Sequence, residues 1–181
     1  MRRIVMGHRT TGEPVVLSDA DVPPVTVAML PGAEIHRMWE LDARPTVPVT
    51  DLDGGSAHTF FPPAHGLRFG FLTIPPGLDY VPPAGTPSDA LAAAAEEAER
   101  KLPGMAATFD PTRPGTHTTD TVDYIVALAG EGLMTAGDDV RIRMRAGDCL
   151  IQNGTPHAWF NEGSVPFVVA FALVAADAPL R

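Results

Sequence analysis

The chain has 181 residues, 45% of them hydrophobic and 19% charged, the composition of a globular protein with a sizeable core and not of a disordered one. Its formal net charge is −9 and Lys101 is its only lysine, which excludes a basic stripe for nucleic acid and a cationic cluster for an anionic membrane. Its one cysteine, Cys149, excludes an intrachain disulfide and reads as a small buried apolar residue.

The opening "MRRIVMGHRTTGEP" lacks the long apolar segment of a signal peptide, and the longest apolar run, "VPFVVAFALVAA", is too short to span a bilayer. A cytoplasmic protein is the expectation. The 17 glycines and 19 prolines are spread along the chain, with short Val-, Ile-, Phe- and Leu-rich stretches between them. That texture predicts many short strands joined by turns, hence a sandwich or barrel.

In chain order, "RRIVMGH" and "PVVLSD" flank the turn "RTTGE" and predict a hairpin. "VTVAML" and "EIHRMWEL" are further strand candidates, and residues 42–66, with "DLDGGS" and "FPPAHG", predict an irregular loop. "LRFGFLTIPPG" reads as a strand closed by prolines. "SDALAAAAEEAERKL", residues 88–102, is the one helix, with Thr86 as N-cap, Pro87 in the first helical position and Asp89 at capping-box spacing. Its alanine-rich body suits either a lid or a plug at one end of a barrel. Beyond it, "VDYIVALAG", a hairpin around Gly137-Asp138, "CLIQ", "HAWFN" and "VPFVVAFALV" are strands.

The stretch "GTHTTDTVDY" sets His117, Asp120 and Asp123 at the entrance of a strand, where charge is costly unless solvated, paired or bound. Residues two apart share a face of a strand, so Trp159 and Asn161 go with His157, Thr119 with His117, and Ile125 and Ala127 with Asp123. If these strands are neighbours, two imidazoles and a carboxylate converge, a donor set for a first-row transition metal.

These residues resemble the two motifs of the cupin superfamily. Asp123 lies seven residues before Gly130, the spacing of the first motif's acid and final glycine, and His117 takes the place of its first histidine. In the second motif Gly147 opens, Gly154 precedes His157 by three, and Asn161 follows. Thr119 stands where a second histidine is usual, Asp123 replaces glutamate, and the Gly147–Gly154 spacing is one residue short. The resemblance implies an all-β, double-stranded β-helix or jelly-roll barrel over 1–181 as one domain, with N-terminal strands and loop in 1–66 and the barrel motifs in 115–174. It implies a divalent transition metal (Fe, Mn, Zn or Ni) held by His117, Asp123 and His157.

Under that reading Thr119 and Asp120 are the candidate catalytic residues. Asp120 would reach the metal or a ligand, although aspartate here also reads as a turn former. Trp159, Asn161 and Phe171 are candidate substrate-binding residues, and Phe167, Trp39 and Phe69 complete an aromatic interior. Such a pocket favours a cyclic or aromatic, oxygenated small molecule. The expected activity is that of a decarboxylase, cyclase, isomerase or dioxygenase; the alternative is a non-catalytic small-molecule-binding module. A storage role is disfavoured by the ligand set. His8, His36, His58 and His65 read as ordinary surface or core residues. The N-terminal hairpin, packed on the barrel or exchanged with a partner, predicts a homodimer.

Overall fold

The computed structural model describes residues 1–50, 52 and 58–177. Strands β1 (Arg2–His8) and β2 (Pro14–Asp21) form a separate hairpin. The remaining strands are β3 (Glu34–Leu41), β4 (Leu67–Ile74), β5 (Thr121–Ala129), β6 (Glu131–Ala136), β7 (Val140–Arg145), β8 (Cys149–Asn153), β9 (Ala158–Phe160) and β10 (Phe167–Ala175). They make a five-stranded sheet in the order β3-β4-β10-β5-β8 and a three-stranded sheet in the order β7-β6-β9. All pairings are antiparallel.

Side chains from both sheets meet in one core: Ile74, Ile125, Ala127, Phe167 and Val169 from the larger sheet, Met134, Met144 and Trp159 from the smaller. This is a jelly-roll sandwich, the architecture the resemblance implies, and β5 alternates as a strand of such a sheet. Thr121, Asp123, Ile125 and Ala127 are buried while Tyr124, Val126 and Leu128 are exposed. Ile74 and Phe167 are essentially inaccessible, and burying a side chain of this size contributes roughly 1.5–3 kcal/mol. A Cβ on Gly132 would overlap the Phe167 ring, so only glycine lets that ring lie against β6.

Helix α1 (Ser88–Lys101) closes one end over a second cluster of Val27, Ile35, Phe60, Ala98, Leu102 and Met105. Phe60 N–H donates to the Pro103 carbonyl at 2.8 Å, tying the long connection to the end of the helix. The buried Arg68 guanidinium holds the same connection. It donates to the carbonyls of Thr59, Phe60 and Phe61, and to Asp42 Oδ1 at 2.6 Å. Among the described residues no helix is long and apolar enough to cross a membrane.

Several expectations need correction. "VTVAML" is not a strand: only Val25 bridges to Ile35, and the chain then turns through Val27–Leu30 and Leu30–Ala33 bonds. The Ala28 N–H that a ladder would use instead donates to Glu97 Oε2 of α1, at 2.9 Å. Thr86 does not cap the helix. Pro87 occupies the N-cap position without a side-chain bond, and the Thr86 hydroxyl donates to the Pro83 carbonyl at 2.6 Å. Trp39 and Phe69 leave the interior: they are paired in register on the outer face, beneath the N-terminal hairpin, and Phe69 is exposed. Cys149 is exposed, because β8 is an edge strand and Cys149 pairs with the outward Val126. Within the predicted 42–66 loop, the segment "DLDGGS" lies outside the described residues apart from Leu52.

Candidate functional site

His117 and His157 face each other across an antiparallel bridge. Each main-chain N–H donates to the other's carbonyl, at 2.9 and 3.0 Å, and the imidazole centroids stand 4.3 Å apart. On its other side His117 bridges to Phe109, so three chain segments fix it. Gly115 makes this possible. It adopts φ +79°, and a Cβ there would stand 2.5 Å from the Tyr80 ring, which packs against its backbone.

The imidazole Nδ1 of His117 lies 3.1 Å from the Gly115 carbonyl, and that of His157 lies 2.9 Å from the Thr155 carbonyl. A carbonyl only accepts, so each Nδ1 carries the proton and each Nε2 keeps its lone pair. Burial pushes the His117 imidazolium down to about 4, helped by repulsion from His157. Burial lowers His157 as well. Both rings are therefore neutral at pH 7.

Asp123, on β5, lines the same cavity, and its Oδ1 is buried without a hydrogen-bond partner. Burial pushes its carboxyl up to about 6, against a hydrogen bond from Thr121 that favours the anion. Thr119 is buried with its hydroxyl 2.7 Å from that of Thr121. Around these groups the wall is apolar and aromatic, with Trp159, Phe171, Phe60, Phe109 and Ile35 among its members, lining a half-open cavity of about 110 Å³. Trp159 meets the His157 ring edge to face at 6.1 Å.

Of the sequence-derived candidates, the structure brings together His117, Thr119, Asp123, His157, Trp159 and Phe171. It leaves two outside. Asp120 is exposed, because alternation turns it away from the side of Thr119 and Thr121. Asn161 is buried, but its amide donates to the Ile74 and Val165 carbonyls and its oxygen accepts from Gly163 N–H, so it pins loops behind the cavity.

Sequence reasoning missed Tyr80, whose hydroxyl donates to the Trp159 carbonyl at 2.6 Å, because it sits in a proline-rich loop with no period to read. It also missed Gln152, buried directly opposite Asp123 in the β5–β8 register with its Nε2 unpartnered. A polar residue in the apolar strand "CLIQ" was the available signal.

The donors fit a divalent transition metal in type: two neutral imidazoles held by second-nitrogen bonds to carbonyls, and a buried carboxylate oxygen without a partner. They are not assembled around one point. Among the described residues, no group of three or more His, Cys, Asp or Glu side chains is gathered to hold an ion.

Among curated proteins none matches this chain. Solved structures that resemble it are distant. One is a Cupin 2 conserved barrel domain protein from Salinispora arenicola CNS-205, with 13% identity over 89% of this chain and 92% of that one, at a TM-score of 0.44. Another is described as a predicted oxalate decarboxylase from Thermotoga maritima, with 14% identity over 89% and 99%, at 0.47. A third is an RmlC-like cupin family protein with a double-stranded β-helix fold from Methanocaldococcus jannaschii, with 10% identity over 60% and 70%, at 0.38. Residues 105–174, which contain both histidines and Asp123, match the family model described as Cupin domain. Over that segment the chain is similar to the cupin domain, and its jelly-roll architecture agrees with that likeness.

Proposed function

We propose that the cavity is the active site of a metal-dependent enzyme acting on a small, cyclic or aromatic, oxygenated molecule, in the manner of a decarboxylase, cyclase, isomerase or dioxygenase. One observation carries the reading: two histidine Nε2 lone pairs and an unpartnered carboxylate oxygen belong to one otherwise apolar cavity. His117 and His157 would hold the metal, with Asp123 as the third ligand. Such a metal supplies Lewis acidity toward a bound oxygen. The chain's own residues do the rest. The Gly115 and Thr155 carbonyls fix the imidazole tautomers, and Thr119, whose hydroxyl lies 2.7 Å from that of Thr121, would hydrogen-bond a substrate oxygen. Trp159 and Phe171 hold a flat ring and exclude water. The substrate is a small molecule, with neither nucleic acid nor membrane as partner.

The test is metal content per chain after purification without an affinity tag from metal-supplemented cells. Close to one equivalent is expected in the wild type. His117→Ala and His157→Ala should each lose most of it while keeping the wild-type circular dichroism, because apolar packing holds the sandwich. Full occupancy in either variant would show the ligand assignment to be wrong.

A second reading is a non-catalytic small-molecule-binding cupin. It is favoured by the absence, among the described residues, of an assembled three-donor group, and by Thr119 at the position of a usual ligand. Wild-type protein that takes up no metal from supplemented cells would decide for it.

A further inference from the structure

The cavity that holds His117, Asp123 and His157 does not stand alone. Its volume is about 110 Å³, below the roughly 150 Å³ of an apolar cavity known to take up one benzene. Beside it lies a second, half-open compartment of about 280 Å³. Leu30, Tyr80, Met105 and Phe109 line both, so the two volumes adjoin across these four side chains. Once a ring fills the inner cavity, the remaining atoms of the same molecule must lie beyond it.

The outer compartment suits hydrocarbon. Besides the shared residues its wall includes Met29, Val81, Pro82, Pro111 and Pro114. Asp110 is the one charged residue among the described residues lining it, and Asp110 Oδ1 already accepts from the Thr112 N–H at 2.8 Å and from the Thr112 hydroxyl at 2.7 Å. The main chain of the same loop pairs with itself: Asp110 N–H donates to the Thr116 carbonyl at 2.8 Å, and Thr116 N–H to the Arg113 carbonyl at 2.9 Å. A phosphate or carboxylate placed here would lose water, meet no cation and face the Asp110 carboxylate. A hydrocarbon chain removes apolar wall from water at no such cost. The wall is also fixed in advance. Tyr80 is held by its hydrogen bond to the Trp159 carbonyl, at 2.6 Å, and by the edge of the Phe160 ring, and each proline has its φ set by its own ring. A preformed wall lowers the ordering cost of binding.

We infer that the outer compartment is a second subsite of the same binding site, and that it takes an uncharged hydrocarbon extension carried on the ring that occupies the inner cavity. Molecules whose extension is anionic are rejected there. This rests on reading the inner cavity as the substrate site, and adds a specificity for the part of the molecule remote from the metal ligands.

The experiment uses the full chain carrying Trp39→Phe, so that Trp159 on the inner cavity is the remaining tryptophan. It is titrated near neutral pH with phenol, p-cresol, p-propylphenol and p-hydroxyphenylpropionate, by fluorescence and by calorimetry. A buried methylene contributes up to about fourfold in affinity, so p-propylphenol should bind one per chain and at least ~10-fold more tightly than phenol or the propionate. Val81 is 54% exposed and lines the outer compartment but not the inner cavity. Val81→Asp should therefore keep the fold and the affinity for phenol, and cut the advantage of p-propylphenol to under ~3-fold. A flat series, a charged extension bound as tightly as the neutral one, an advantage that survives Val81→Asp, or no binding of any probe overturns the inference. The four-probe series decides even where Val81→Asp does not fold. Metal content per chain is a separate readout. A metal-loaded protein with a flat series sinks this inference alone, and a metal-free protein with the graded series sinks the metalloenzyme reading alone.

Discussion

Thr119 is the residue at which this chain departs most consequentially from the motif it resembles. It is buried on the cavity wall beside His117, where a second imidazole would complete a fuller ligand set. A threonine hydroxyl is a poor metal ligand at neutral pH but a good hydrogen-bonding group. Under the metalloenzyme reading, Thr119→His should tighten metal binding by about ten- to a hundredfold, the range over which changes around a metal site alter affinity, and lower turnover by filling an open position. Metal titration and steady-state assay check the two halves, and unchanged turnover on the true substrate would reduce Thr119 to a strand residue. Tyr80 offers an independent test of burial. Desolvation pushes its hydroxyl up to about 12, from an ordinary 10.0. The folded state therefore holds this proton more tightly than the unfolded one. Its contribution to stability is complete below pH 10 and is lost as pH rises from there through 12. The urea midpoint of the wild type should fall over that window more steeply than that of Tyr80→Phe. Equal slopes would mean that the hydroxyl is solvated.

At the scale of elements, α1 is a plug whose anchoring comes from very few side chains. Most of its alanines and charges face solvent, Ala98 with the following Leu102 carries the burial, and Glu97 and Lys101 bond the backbone at Ala28 and Thr26. Leu102 is fully inaccessible in the cluster beneath the helix, so Leu102→Ala should cost about 2–5 kcal/mol in urea unfolding. The cluster under α1 and the sandwich core share Leu30, Leu72 and Phe171 at their boundary. We therefore propose that residues 1–181 act as one domain and that the loss appears as a shift of a single transition. A separate early transition in the variant would show instead that the helix end melts independently.

At the scale of the whole molecule, the outer face of the five-stranded sheet stands out. Phe69, Ala172, Tyr124 and Ile151 lie in register across four strands, and Phe71, Ala170, Val126 and Cys149 form the adjacent row. Phe69, Tyr124, Val126, Leu128 and Ile151 are exposed there, and the hairpin beside them exposes Ile4, Met6 and Val16. An uncharged apolar face of this extent on a chain of net charge −9 is where a second copy meets least repulsion. A homodimer is expected by sedimentation at micromolar concentration, and Val126→Lys with Ile151→Lys should convert it to monomer. A wild-type monomer at that concentration would remove the dimer.

What the sequence determined by itself was whatever is local. Strand alternation placed Asp123, Ile125 and Ala127 inward and Tyr124 outward, because side-chain direction in a strand is fixed by a two-residue period. The motif spacing likewise singled out His117, Asp123 and His157, which line one cavity. The tertiary structure alone decided which faces are covered. It turned Trp39 and Phe69 outward, left Cys149 on an edge strand, and took Asp120 and Asn161 away from the cavity. It also supplied the walls that no pattern announced, Phe60, Tyr80 and Phe109 from irregular connections, and set Gln152 against Asp123. The reason is physical: a period says which side chains share a face, but burial depends on which distant segment packs against that face, and that is settled only when the chain closes on itself.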